Sequence, residues 1–135
     1  MIVADASLLA HSLIPGLDKD SADAVRRLDA DWRVPGLWRY ELRNVLLKYI
    51  RAGALPEETA KNLMAHVFNV MNAAEQDAPS DAVISAAMKF TITSYDAEYI
   101  ALAEALDVPL ITFDKKLVRA AAGLAFLPGD FISQS

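Results

Sequence analysis

The sequence predicts an α/β protein: a three-layer α/β/α sandwich around a central, mostly parallel sheet of about five strands. Two observations lead there. Short apolar segments such as Ile2-Val3-Ala4 and Val108 to Phe113 lack the polar alternation of a half-solvated strand, so both of their faces must be covered. Amphipathic helical stretches separate these segments in regular alternation, as crossover helices do in a parallel sheet. A length of 135 residues suits one domain over residues 1–135, and 54% hydrophobic content is ample for its core.

Each element follows from local chemistry. Ile2 to Ala4 is the first strand, and Ser7 to Leu13 a short helix stopped by Pro15-Gly16. Residues 19–30 form an amphipathic helix with Ala22, Val25 and Leu28 inward, and Arg33 to Gly36 a short second strand. Leu37 to Arg51 is helical because Trp38, Leu42, Val45, Leu46 and Tyr49 recur at the 3.6 period, with Gly53 as its stop. Pro56 opens the next helix with Glu57 and Glu58 behind it, and that helix carries Leu63, Met64, Val67, Phe68 and Met71. A strand is expected over residues 72–77, then a helix from Pro79-Ser80-Asp81 to Phe90. Thr93-Ser94 offers cap oxygens for a helix through Leu106. Val108 to Phe113 is a strand, Lys115 to Ala122 a helix ended by Gly123, and Leu124 to Leu127 the last strand.

Composition excludes several function classes. With no Cys there is no disulfide scaffold and no thiolate zinc site, and His11 and His66 alone leave little room for an imidazole metal site or a Ser-His-Asp triad. The net charge of −5, from 13 Lys+Arg against 18 Asp+Glu, argues against a general polyanion binder but not against a local basic patch. The first residues lack a basic leader, and no run of about 20 apolar residues exists to span a bilayer. A soluble, cytoplasmic domain is expected.

Most acids read as surface charges. Asp23 precedes Arg26 and Arg27 at helical spacing, and Glu57 precedes Lys61. Four acids differ. Asp5 follows the first strand and Asp114 the Val108–Phe113 strand, and the carboxyl ends of strands line the ligand crevice of an open α/β sheet. Glu41 sits on or beside the inward stripe of its helix, and Asp96 opens the 95–106 helix; neither has a Lys or Arg at helical spacing. A carboxylate drawn out of water costs several kcal/mol unless compensated, and a hard divalent cation such as Mg²⁺ or Mn²⁺ compensates it with oxygen ligation. Plainer readings stand beside this one. Asp96 could favour the positive end of its helix, Asp114 could cap the 115–122 helix, Asp5 could form a turn, and a distant Arg could pair Glu41.

The segments Val3-Ala4-Asp5-Ala6-Ser7, Trp38-Arg39-Tyr40-Glu41-Leu42-Arg43-Asn44, Tyr95-Asp96-Ala97-Glu98-Tyr99-Ile100-Ala101-Leu102-Ala103 and Leu110-Ile111-Thr112-Phe113-Asp114 together resemble the PIN-domain ribonucleases, in the order and spacing of the VapC-type toxins of toxin–antitoxin pairs. The resemblance spans essentially the whole chain. It implies that Asp5, Glu41, Asp96 and Asp114 form an acidic quartet holding Mg²⁺ or Mn²⁺, and that Ser7, Asn44 and Thr112 support it. It also implies RNA as substrate, with a 5′-phosphate on one product.

With no imidazole, thiol or evident Ser nucleophile among these groups, the expected attacker is water, with Asp96 or Asp114 orienting or deprotonating it. Basic residues should flank an acidic pocket that receives a polyanion. Arg39, Arg43, Lys48, Arg51, Lys115, Lys116 and Arg119 are the candidates, the Lys115-Lys116 pair foremost. The resemblance further implies a homodimer and a groove between the 37–51 and 56–71 helices that takes a segment of a VapB-type antitoxin. Two other readings compete: a phosphoacceptor, receiver-like signalling domain, which would need a paired acid beside Asp5, and a non-catalytic interaction module that keeps only the fold.

Overall fold

The computed structural model describes residues 1–134; residue 135, the last of the expected domain, lies outside them. Four strands form one sheet: β1 (Ile2–Ala4), β2 (Trp32–Arg33), β3 (Leu110–Ile111) and β4 (Ala125–Phe126). Their order is β2-β1-β3-β4 and every pairing is parallel, with Ile2 opposite Trp32, Val3 opposite Leu110, and Leu110 opposite Ala125.

The strands are shorter than their apolar runs. Pro109 has no N–H to donate, though its carbonyl accepts from Val3 N at 2.9 Å; Thr112 N still donates to Phe126 O at 3.0 Å, and beyond it the Thr112 side chain and Phe113 N serve the site described below. The strand expected over 72–77 is instead a 3₁₀ turn at Asn72–Ala74 and a single parallel bridge between Val34 and Glu75. Asn72-Ala73-Ala74 runs straight on from a helix, and Glu75-Gln76-Asp77 has no apolar side chain to set on a sheet.

Alternation along β1 separates two cores. Ile2 and Ala4 face the layer made by α1 (Ala6–Leu13), α2 (Lys19–Leu28), α3 (Trp38–Arg51) and α4 (Glu57–Met71), which is completed by α8 (Pro128–Ser133). Val3 and Leu110 face the layer made by α5 (Ser80–Phe90), α6 (Ser94–Leu106) and α7 (Lys115–Ala120). α6 has more buried residues than any other helix, Ala97 and Tyr99 through Ala103, and leaves Glu104 and its first turn toward solvent.

Two local expectations are corrected. Leu28 is 47% exposed, because α2 ends there and leaves Ala22 and Val25 to make the buried contact. Asp23 pairs with Lys19 at 3.0 Å rather than with Arg26 or Arg27, and the Arg26 guanidinium lies 4.5 Å from the centre of the Trp32 ring. Past the last expected strand, α8 starts at Pro128, a residue favoured in the first turn of a helix.

The topology fixes where a site can form. β1 has β2 on one side and β3 on the other, so the chain reverses direction across the sheet at β1. A crevice opens at such a switch point beyond the carboxyl ends of the strands.

Candidate active site

Asp5 is the first residue past β1 and the N-cap of α1. Its Oδ1 accepts from Leu8 N at 3.1 Å and from the Ser7 hydroxyl at 2.6 Å, and its Oδ2 accepts from the Thr112 hydroxyl. Ser7 Oγ in turn accepts from Phe113 N at 2.9 Å, and Thr112 Oγ1 accepts from Asp114 N at 3.0 Å. The exits of β1 and β3 are thus tied together by two hydroxyls. Asp5 is only 8% exposed, and burial raises its pKa from 3.8 more than the three donors lower it; the Asp114 charge raises it further.

Glu41 stands in the first turn of α3, half-buried. Tyr99, a fully enclosed residue of α6, donates its hydroxyl to Glu41 Oε1 at 2.6 Å. Burial raises the Glu41 pKa, the Tyr99 hydrogen bond opposes this, and the Asp5 and Asp96 charges add to the rise. Burial first, and then the Glu41 and Asp5 charges, push the Tyr99 phenol upward, so it stays a donor. Asp96 lies in the first turn of α6, its N–H donating to Thr93 Oγ1 at 3.1 Å in the cap expected from the sequence. Burial raises its pKa, and the Asp114 charge raises it again. Asp114 is the exposed N-cap of α7, accepting from Lys116 N at 2.9 Å and Leu117 N at 3.3 Å.

These influences run around a ring: Asp5 with Asp114, Asp114 with Asp96, Asp96 with Glu41, and Glu41 with Asp5. No ion pair among the described residues involves any of the four. Each of the four carboxylates therefore feels the charge of two of the others, and none is paired with a Lys or Arg among the described residues. The structure does not close the quartet up: among the described residues, no three acidic or imidazole groups stand close enough to hold a metal ion between them.

The PIN domain family, matched as a sequence model, aligns with residues 2–123. The chain belongs to that family. It is 30% identical to Ribonuclease VapC3 of Pyrobaculum aerophilum over 121 residues, covering 87% of this chain and 92% of that protein. It is 32% identical to Ribonuclease VapC1 of Mycobacterium tuberculosis over 90 residues, 67% of each. Among solved structures, the crystal structure of PAE2754 from Pyrobaculum aerophilum superposes with a TM-score of 0.76 at 24% identity, covering 98% of this chain and 94% of that one. FitAcB from Neisseria gonorrhoeae superposes with a TM-score of 0.65 at 21% identity, covering 96% and 99%.

In this PIN domain the donor chemistry of the quartet suits a hard cation. All four groups are carboxylates, and Glu41 Oε2 makes no hydrogen bond among the described residues. Of the supporting residues, Ser7 and Thr112 are engaged as described. Asn44 is exposed on α3 and makes no hydrogen bond among the described residues.

The basic candidates divide. Lys115 and Lys116 are exposed beside Asp114, and Arg119, Lys48 and Arg51 are exposed on their helices. Arg43 is exposed and lies over the Tyr40 ring at 4.8 Å. Arg39 is committed elsewhere: its Nε stands 2.9 Å from Glu75 Oε1, the oxygen that also accepts from Trp38 Nε1 at 2.7 Å.

Tyr99 is the site residue that sequence reasoning missed. The signal was present, since a tyrosine three residues after Asp96 in an otherwise apolar helix needs a partner for its hydroxyl.

Proposed function

We propose that this PIN-domain protein is a Mg²⁺- or Mn²⁺-dependent endoribonuclease and the toxin of a toxin–antitoxin pair. The observation that carries the reading is the ring of four carboxylates at the switch-point crevice: three have raised pKa values, and none has a cationic partner among the described residues. Stacking negative charge in this way destabilises the fold unless a ligand uses it. The relatives named ribonucleases support RNA as the substrate.

The chemistry is phosphodiester hydrolysis. A water oxygen attacks phosphorus, the bond to the 3′ oxygen breaks, and the products carry a 5′-phosphate and a 3′-hydroxyl. A divalent cation, when bound, supplies charge neutralisation at the phosphate and acidifies water. Asp5, Glu41, Asp96 and Asp114 would hold it. Asp5 is fixed by three donors and Glu41 is held by Tyr99, while the four groups as they stand must draw closer before any three share one ion. Asp96 or Asp114 accepts the proton of the water. Lys115, Lys116 and Arg43, all exposed, are the proposed contacts to the RNA backbone.

The groove of about 330 Å³ between α3 and α4, lined by Leu46, Leu47, Ile50 and Met64, is the proposed seat of a VapB-type antitoxin segment, and the active form is a homodimer. The test is incubation of purified protein with tRNA and rRNA, with and without Mg²⁺, followed by mapping of cut ends. Cleavage should stop on chelation, return with Mn²⁺, and vanish in Glu41→Gln and Asp96→Asn. Undiminished turnover in both variants refutes the site. For the toxin role, expression of the chain alone should slow cell growth, and expression of Glu41→Gln should not.

A further inference from the structure

An open pocket of about 640 Å³ lies where α5, the first turn of α6 and α7 meet. This is within the roughly 300–1,000 Å³ of small-molecule sites. Met88, Ile92 and Leu117 give it an apolar lining, Thr91 stands at its edge, and Asp96 and Lys116 border it. Met88 is 78% exposed, although it sits on a helix whose other side is packed. Lys116 makes no ion pair among the described residues.

The pocket is therefore continuous with the acidic site through Asp96, and beside its apolar surface it carries one unpaired ammonium. A wholly apolar partner would bury the Asp96 carboxylate and the Lys116 ammonium without compensation. A nucleotide matches all three features. Its base is flat and apolar on its faces, its phosphate suits an ammonium, and its backbone continues toward the carboxylates. The thioether of Met88 is polarizable and adaptable, which favours contact with an aromatic ring without fixing which base it is.

We propose that this pocket seats one unstacked nucleobase of the RNA substrate, next to the scissile phosphodiester, with Met88 and Ile92 against the base and Lys116 on its phosphate. The assignment rests on the ribonuclease reading above and extends it to substrate selection, with a preference for single-stranded segments.

The test uses the full chain with labelled methionine methyl groups, in EDTA so that no RNA is cut. The probes are adenosine and uridine 5′-monophosphate, with ribose 5-phosphate as the arm that lacks a base. The Met88 methyl resonance should move with both nucleotides and stay still with ribose 5-phosphate. In cleavage assays with metal, Met88→Ala should raise KM for single-stranded RNA about three- to tenfold with kcat retained. The pocket assignment is overturned if the methyl ignores both nucleotides, or if it moves with protein concentration alone, which would make it a contact between copies. A Met88→Ala enzyme with unchanged KM overturns it as well. A chain that shifts with nucleotides yet cuts no RNA keeps the pocket and loses the ribonuclease reading. A chain that cuts RNA while the methyl stays silent does the reverse.

Discussion

Replacing Thr112 with Val probes the junction between fold and site. Thr112 is fully buried, its hydroxyl donates to Asp5 Oδ2, and it accepts from Asp114 N at 3.0 Å. Valine has nearly the same volume, so no cavity forms, but both hydrogen bonds disappear. A bond to a charged group is worth about 1.5–3 kcal/mol and the neutral one about 0.5–1.5 kcal/mol. The expected loss is therefore about 2–4.5 kcal/mol, or roughly 6–18 °C in Tm for a chain of this size. Thr112→Ser keeps the hydroxyl and should lose about 1 kcal/mol, from the missing methyl. Calorimetry at neutral pH measures both. In an Asp5→Asn background the Thr112→Val cost should shrink, because the charged acceptor is gone. A Thr112→Val protein within about 0.5 kcal/mol of wild type, or an equal cost in both backgrounds, would refute the account.

Three further outcomes are expected. Asp96 and Glu41 have pKa values raised above 3.8 and 4.5. Their charged forms therefore destabilise the fold: the penalty is absent below those values and fully present once pH exceeds the raised ones. Asp96→Asn should accordingly melt above wild type at neutral pH, and the gain should fade on acidification; a gain independent of pH would contradict the electrostatic cause. Mg²⁺ or Mn²⁺ at 100 times its Kd should stabilise the chain by about 2.7 kcal/mol, and thermal shift should show this rise lost in a Glu41→Gln, Asp96→Asn double variant. Finally, Lys116→Ala should weaken RNA binding without changing Tm. Arg39→Ala should lower stability by up to about 1 kcal/mol through loss of the Glu75 pair; equal Tm for the two variants would place Arg39 among the free surface charges.

Much of this was legible along the chain because it depends on local rules. β1, the helical period of Leu37–Arg51, the Thr93 cap and the placement of two acids after strands need only a few neighbouring residues. What escaped depends on distant contacts. Glu75 closes onto Trp38 and Arg39 across 37 and 36 positions, which removed one candidate RNA contact and turned an expected strand into a single bridge. Tyr99 reaches Glu41 over 58 positions, and no periodicity announces that meeting. Lys19 outcompeted Arg26 for Asp23 because Trp32, from the next strand, drew the arginine away.

Asp5 has two employments that an alanine substitution cannot separate. The same carboxylate starts α1 and contributes to the acidic ring. Truncating it to alanine forfeits a helix cap worth about 1 kcal/mol, so inactivity in that variant would mix lost chemistry with loosened architecture. A variant for capturing the proposed RNA or antitoxin is better made by Glu41→Gln, which preserves the oxygen that Tyr99 grips. Drift at Asp5 to any residue that cannot cap would loosen the first helix in the same step, whereas Asn would spare it.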